Sequence, residues 1–122
     1  MLVLGLCLGG CPSSPPKKSE AAAVSHAVNS LRDADNERKP AYLDALRKTP
    51  CEDAEICAVR SQCLAAYELH VDVLARLAST STAGASTQAS DLARMKQDLA
   101  RSHELGRACI DAQGAMIRRY KL

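Results

Sequence analysis

One period runs through almost the whole chain. From Val24 onward, apolar residues recur at steps of three and four, the spacing that lines up one face of an α-helix. No segment alternates apolar and polar residues with the period of two that a half-buried strand needs. The pattern predicts an all-α protein and leaves no room for a βαβ unit.

The first stripe is Val24, Val28 and Leu31, on a helix that starts near Ser19 and ends before Pro40. Tyr42, Leu43 and Leu46 mark a short second helix, with Pro40 near its first turn. Thr49-Pro50-Cys51-Glu52 has the form of a capping box, so a long third helix is expected to start there. Its stripe runs Val59, Cys63, Ala66, Tyr67, and on through His70, Val73, Leu74 and Leu77. Residues 79–90, STSTAGASTQAS, read as a loop of small residues around Gly84. The fourth helix is expected from about Ser90 to Arg119, with Leu92, Met95, Leu99, His103, Gly106, Ile110, Ile117 and Tyr120 along its stripe. Gly106 lies on that stripe, where it would let another helix approach closely. Two long helices joined by a short loop pack antiparallel. The expectation is a small helical bundle built on one long hairpin, with helix 1 docking on it incompletely.

Alanine supplies much of the apolar character, and it buries little area. A thin core in 122 residues benefits from covalent staples, and six cysteines are present. Net charge is only +2, with both signs interleaved. Trp and Phe are absent, and Tyr occurs only at 42, 67 and 120. There is no strong basic patch and no aromatic stacking platform, so nucleic acid is not expected as a partner.

The first ten residues, MLVLGLCLGG, are too few to span a bilayer and suit an export signal. They end in Leu8-Gly9-Gly10-Cys11, which resembles the lipobox of bacterial membrane lipoproteins: an aliphatic residue, two small residues and a cysteine. The resemblance implies cleavage before Cys11, a diacylglyceryl group on its thiol and an acylated amine. Pro12 follows where an Asp would signal inner-membrane retention, so the resemblance favours the outer membrane. Pro12 to Lys18, PSSPPKK, reads as an extended tether. The expected organisation is therefore a signal at 1–10, a lipidated tether at 11–18 and a helical domain at 19–122.

Export would place Cys51, Cys57, Cys63 and Cys109 in an oxidising compartment. Cys57 and Cys63 are separated by about 9 Å of helix rise and about 240° of rotation, so they are not expected to pair. Cys51 and Cys63 would stand about 18 Å apart along a helix, so Cys51–Cys57 with Cys63–Cys109 is the pairing that remains. Both Cys57 and Cys63 come within reach of Cys109 in a hairpin, and the apolar stripe selects Cys63. One conflict stands: the capping box would put Cys51 inside the helix, six residues from Cys57. The Cys51–Cys57 bond then requires a distorted first turn, or a helix that starts nearer Asp53.

The remaining motifs carry little chemistry. Asp33, Asp35, Glu37 and Asp44 loosely resemble a calcium loop, but Arg38 stands where the sharp turn needs glycine. His70 and His103 fall on the two long stripes, near Cys63 and Cys109; two imidazoles and two thiolates would make a zinc site. Oxidation of the thiols is the stronger expectation, so no metal and no cofactor is assigned. No nucleophile with a base and an oxyanion donor is visible, so no enzyme is expected. The basic end at Arg118, Arg119 and Lys121 suits a helix C-terminus. The expected role is a non-catalytic, lipid-anchored envelope protein that binds a partner protein or supports an assembly, with Tyr42 and Leu46 as the contact region. The competing expectation is a small metal- or ligand-binding module using His70, His103 and the hairpin cysteines.

Overall fold

The computed structural model describes residues 16–83 and 89–122, and the side chains of these residues except 81–83. Cys11, the lipobox-like stretch and most of the tether lie outside the described residues. Four helices account for nearly all the rest: α1 Pro16–Asp33, α2 Lys39–Lys48, α3 Ala54–Ala83 and α4 Ala89–Tyr120. No strand occurs among the described residues. Two disulfides, Cys51–Cys57 and Cys63–Cys109, close the framework, with Cα–Cα distances of 5.5 and 4.7 Å.

The helices run up, down, up, down. α3 and α4 form the long hairpin, and α1 and α2 pack on its lower half. α1 starts beside the first residues of α3, where Lys17 pairs with Asp53 at 3.1 Å. The Glu20 carboxylate accepts from the backbone N–H groups of Glu52 and Asp53. These contacts extend α1 back to Pro16, so residues 16–18 of the expected tether belong to the helix. α2 returns antiparallel, and Arg47 pairs with Glu68 on its way down. α1 has 18 residues and α3 has 30, about 27 and 45 Å of rise. The hairpin therefore outruns its cover, and its upper part stands as a two-helix arm. Within the arm Arg76 bridges Asp72 of its own helix and Asp98 of α4, at 3.1 and 2.6 Å.

The core lies in the lower half. Ala21, Val24, Val28 and Leu31 of α1 are fully buried against Leu43, Leu46, Ile56 and Cys63. The expected incomplete docking of helix 1 is not what the molecule shows; one whole face of α1 is covered. The hairpin seam has heptad spacing. Val59, Ala66 and Val73 stand seven apart on α3, as do Ile56 and Cys63. Met95, Ser102, Cys109 and Met116 stand seven apart on α4, all buried. A seven-residue repeat keeps one line of each helix against the other.

The α4 stripe read from the sequence is therefore rotated from the true seam. Leu92, His103 and Ile110 are exposed, while Ser102, Cys109 and Gln113 are buried. The true seam carries Ser, Cys and Gln, which a search for leucine and isoleucine passes over. The buried Gln113 amide is well satisfied. It donates to the Ser25 carbonyl and hydroxyl and to Asn29 Oδ1 at 3.3, 3.1 and 2.9 Å, and its oxygen accepts from Arg32 at 2.8 Å.

α3 also starts later than the Thr49 capping box implied. Thr49 closes α2 instead, its hydroxyl donating to the Ala45 carbonyl at 2.8 Å. The cap of α3 is Asp53, whose Oδ1 accepts from the N–H groups of Glu55 and Ile56 at 3.1 and 3.2 Å. Cys51 is thus free of the helix and folds back on Cys57 in the first turn, which removes the conflict over that pairing. At the other end α3 continues to Ala83 and α4 begins at Ala89, so residues 79–83 and 89–90 of the expected loop are helical. Gly84 lies outside the described residues.

Candidate functional site

Where α1 stops, the furrow it occupies between α3 and α4 continues. Arg32 forms its lower end. Ala66, Tyr67 and His70 form one wall, and Ser102, His103, Gly106, Arg107 and Ile110 the other, around a volume of about 500 Å³. Lys39, buried at the start of α2, closes the end of α1. Its ammonium donates to the carbonyls of Leu31 and Arg32, both at 3.1 Å, and sits 6.0 Å from the Tyr67 ring centroid. Two of the last four carbonyls of α1 are therefore satisfied by a lysine below the furrow.

The walls are apolar with a cationic rim. Ile110 is 52% exposed. Above the furrow, Leu74 and Leu77 continue the spacing of Tyr67 and His70 along α3. Leu92 and Leu99 continue that of His103, Gly106 and Ile110 along α4. Leu77 and Leu92 are 38% and 44% exposed. The stripe read from the sequence for α4 is real: α1 covers its lower part, and its upper part is open. No carboxylate lines the furrow. His70 is held below its ordinary value of 6.5, first by burial, then by the charge of Lys39, then by His103.

His70 and His103 do face one furrow, as their stripes suggested. Cys63 and Cys109 are joined to each other, so they offer no thiolates, and the four-ligand zinc set does not form. A different trio, Glu20, Cys51 and Cys57, brings its ligand atoms within 4.8 Å of one another, but its two sulfurs are likewise bonded together.

The Tyr42 region divides. Leu46 is fully buried, packed in the core, and presents nothing to a partner. Tyr42 is 38% exposed and borders a separate shallow hollow with Ala23, His26, Ala45, Lys48 and Pro50. At the base, Arg119 pairs with Glu55, and Arg118 and Lys121 stand exposed beside it. Asp44, once grouped with the acidic residues, pairs with Lys48 one turn on at 2.7 Å, which holds its carboxyl below the ordinary range.

Sequence reasoning passed over Arg32, Lys39, Arg107 and Gln113. Arg107 follows His103 by four residues, a usable signal for one flank of a helix. Arg32 and Lys39 acquire their roles only from where α1 ends. No described helix is long and apolar enough to cross a membrane. No protein-family profile, curated protein or solved structure matches the chain.

Proposed function

We propose that this chain is a lipid-anchored protein of the bacterial cell envelope, held by a diacylglyceryl group on Cys11, that works as a non-catalytic interaction module. The observation that carries the reading is the direction of the hairpin. α1 begins at the base, beside the start of α3 and the end of α4, and the arm extends from the opposite end. A chain tethered just before Pro16 would hold its base at the membrane and its arm away from it. The lipobox-like Leu8-Gly9-Gly10-Cys11 supports the anchor, Pro12 favours the outer membrane, and two disulfides suit an oxidising compartment. Rigid helices bearing exposed leucines are what an interaction module presents.

Two measurements test this. Cys11→Ala should lose lipid labelling and membrane retention while keeping its helical signal; a variant that still partitions wholly with membranes overturns the anchor. A photo-crosslinking residue placed at Tyr42 or at Ile110 of the anchored protein in intact cells should capture an envelope protein at one of the two. Capture at neither position, by a correctly anchored protein, overturns the interaction role.

A further inference from the structure

We infer that the open furrow beyond α1 is the seat of a partner's acidic amphipathic helix, lying in line with α1 between α3 and α4. The inference rests on the interaction role proposed above and names the chemistry of the partner.

Four observations on the furrow agree. First, its shape is that of a helix seat, because α1 itself fills the same furrow lower down. From Ala66, the lowest α3 residue of the furrow, to Thr80 the length is 15 residues of α3, about 22 Å, which is room for about four turns. Second, its floor is apolar where solvent would favour polar side chains. Leu77, Leu92 and Ile110 are exposed on a helical period that continues the buried one. Third, Gly106 costs α4 about 1 kcal/mol against alanine. A Cβ at that position would meet nothing within 4 Å in this chain. A glycine there leaves space for a close neighbour that this chain does not supply. Fourth, the rim is cationic. Lys96 and Arg107 flank the floor along α4, and Arg32 closes its lower end. Arg32 Nε is buried without a hydrogen-bond partner.

The charge decides between occupants. A second copy docking by two-fold symmetry would set the same cationic rim against itself, which opposes association. A helix with an apolar stripe and flanking Asp or Glu satisfies both floor and rim.

The test uses the full chain and a displayed library of helix-forming peptides with randomised charged positions. Selection should enrich peptides with an apolar stripe at steps of three and four flanked by Asp or Glu. Their binding should fall at least tenfold with Ile110→Glu, and also with Gly106→Leu, which fills the floor without removing a core contact. Arg107→Glu should weaken the acidic peptides and be rescued by peptides with Lys at the facing position. The thermal midpoint of each variant establishes that it is folded. Enriched peptides without acidic bias, or binding indifferent to both Gly106→Leu and Ile110→Glu, overturn the inference. So does a wild-type dimer in sedimentation that Leu92→Glu converts to monomer, which assigns the seat to a second copy. If a crosslinker at Tyr42 still captures an envelope protein while these peptides fail, the interaction role survives and only this seat is lost.

Discussion

At the scale of single residues, two buried polar side chains and one half-buried histidine carry more than their number suggests. Lys39 is almost wholly buried, yet its ammonium is shared between two carbonyls at the end of α1. Lys39→Ala strips that cap, and the loss should be about 1–3 kcal/mol in urea unfolding, as for a buried hydrogen-bonding group left without its partner. Gln113 ties α4 to Ser25, Asn29 and Arg32, and Gln113→Ala should cost a similar amount by the same measurement. His70 gives a pH dependence. Its folded value lies below 6.5, so the unfolded chain takes up the proton more readily. Its neutral form is unpenalised above 6.5. The penalty grows as pH falls from there to the lowered folded value and is constant below. The stability of wild type relative to His70→Gln should therefore decline on going from about pH 7.5 to about pH 5. A difference that stays flat over that range shows that burial does not penalise the charged form of His70. None of these roles is visible in the sequence, because each depends on which helices meet in space.

At the scale of elements, the sequence located the helices well and their faces unevenly. All four helices, their order and the antiparallel hairpin follow from steps of three and four, which long amphipathic segments state strongly. The boundaries failed where two signals competed. Thr49 and Glu52 have capping-box spacing, but Thr49 ends α2 and Asp53 begins α3. The distinction rests on the Glu20 carboxylate, which takes the N–H groups of Glu52 and Asp53, a contact across 32 residues in the case of Glu52. Asp53→Ala should cost about 1 kcal/mol in thermal or urea unfolding, with Thr49→Ala the smaller effect. The face of α4 failed for another reason. Its seam is lined by Met95, Ser102, Cys109 and Met116, while Leu92 and Ile110 stand exposed on the open face. Hydrophobicity ranks that open face above the true seam. The candidate site was thus legible as a stripe and illegible as a surface, since only the short length of α1 leaves it uncovered.

At the scale of the whole molecule, the two disulfides differ in reach. Cys63–Cys109 closes 46 residues and Cys51–Cys57 closes six. In the chain-entropy account these stabilise by about 4 and about 2 kcal/mol. Replacing Cys63 and Cys109 together by Ser should therefore lower the thermal midpoint more than replacing Cys51 and Cys57. Equal shifts would mean that loop length does not govern the effect. The long disulfide also sits low on the hairpin, and this fixes how the molecule carries tension. Force applied between Pro16 and Leu122 passes from Cys63 to Cys109 through sulfur and bypasses the 45 residues between them. The arm is mechanically silent to a pull along the chain. In a single-molecule stretching trace, those residues should stay hidden in the oxidised protein. Their contour, about 150 Å at full extension, should be released only after reduction.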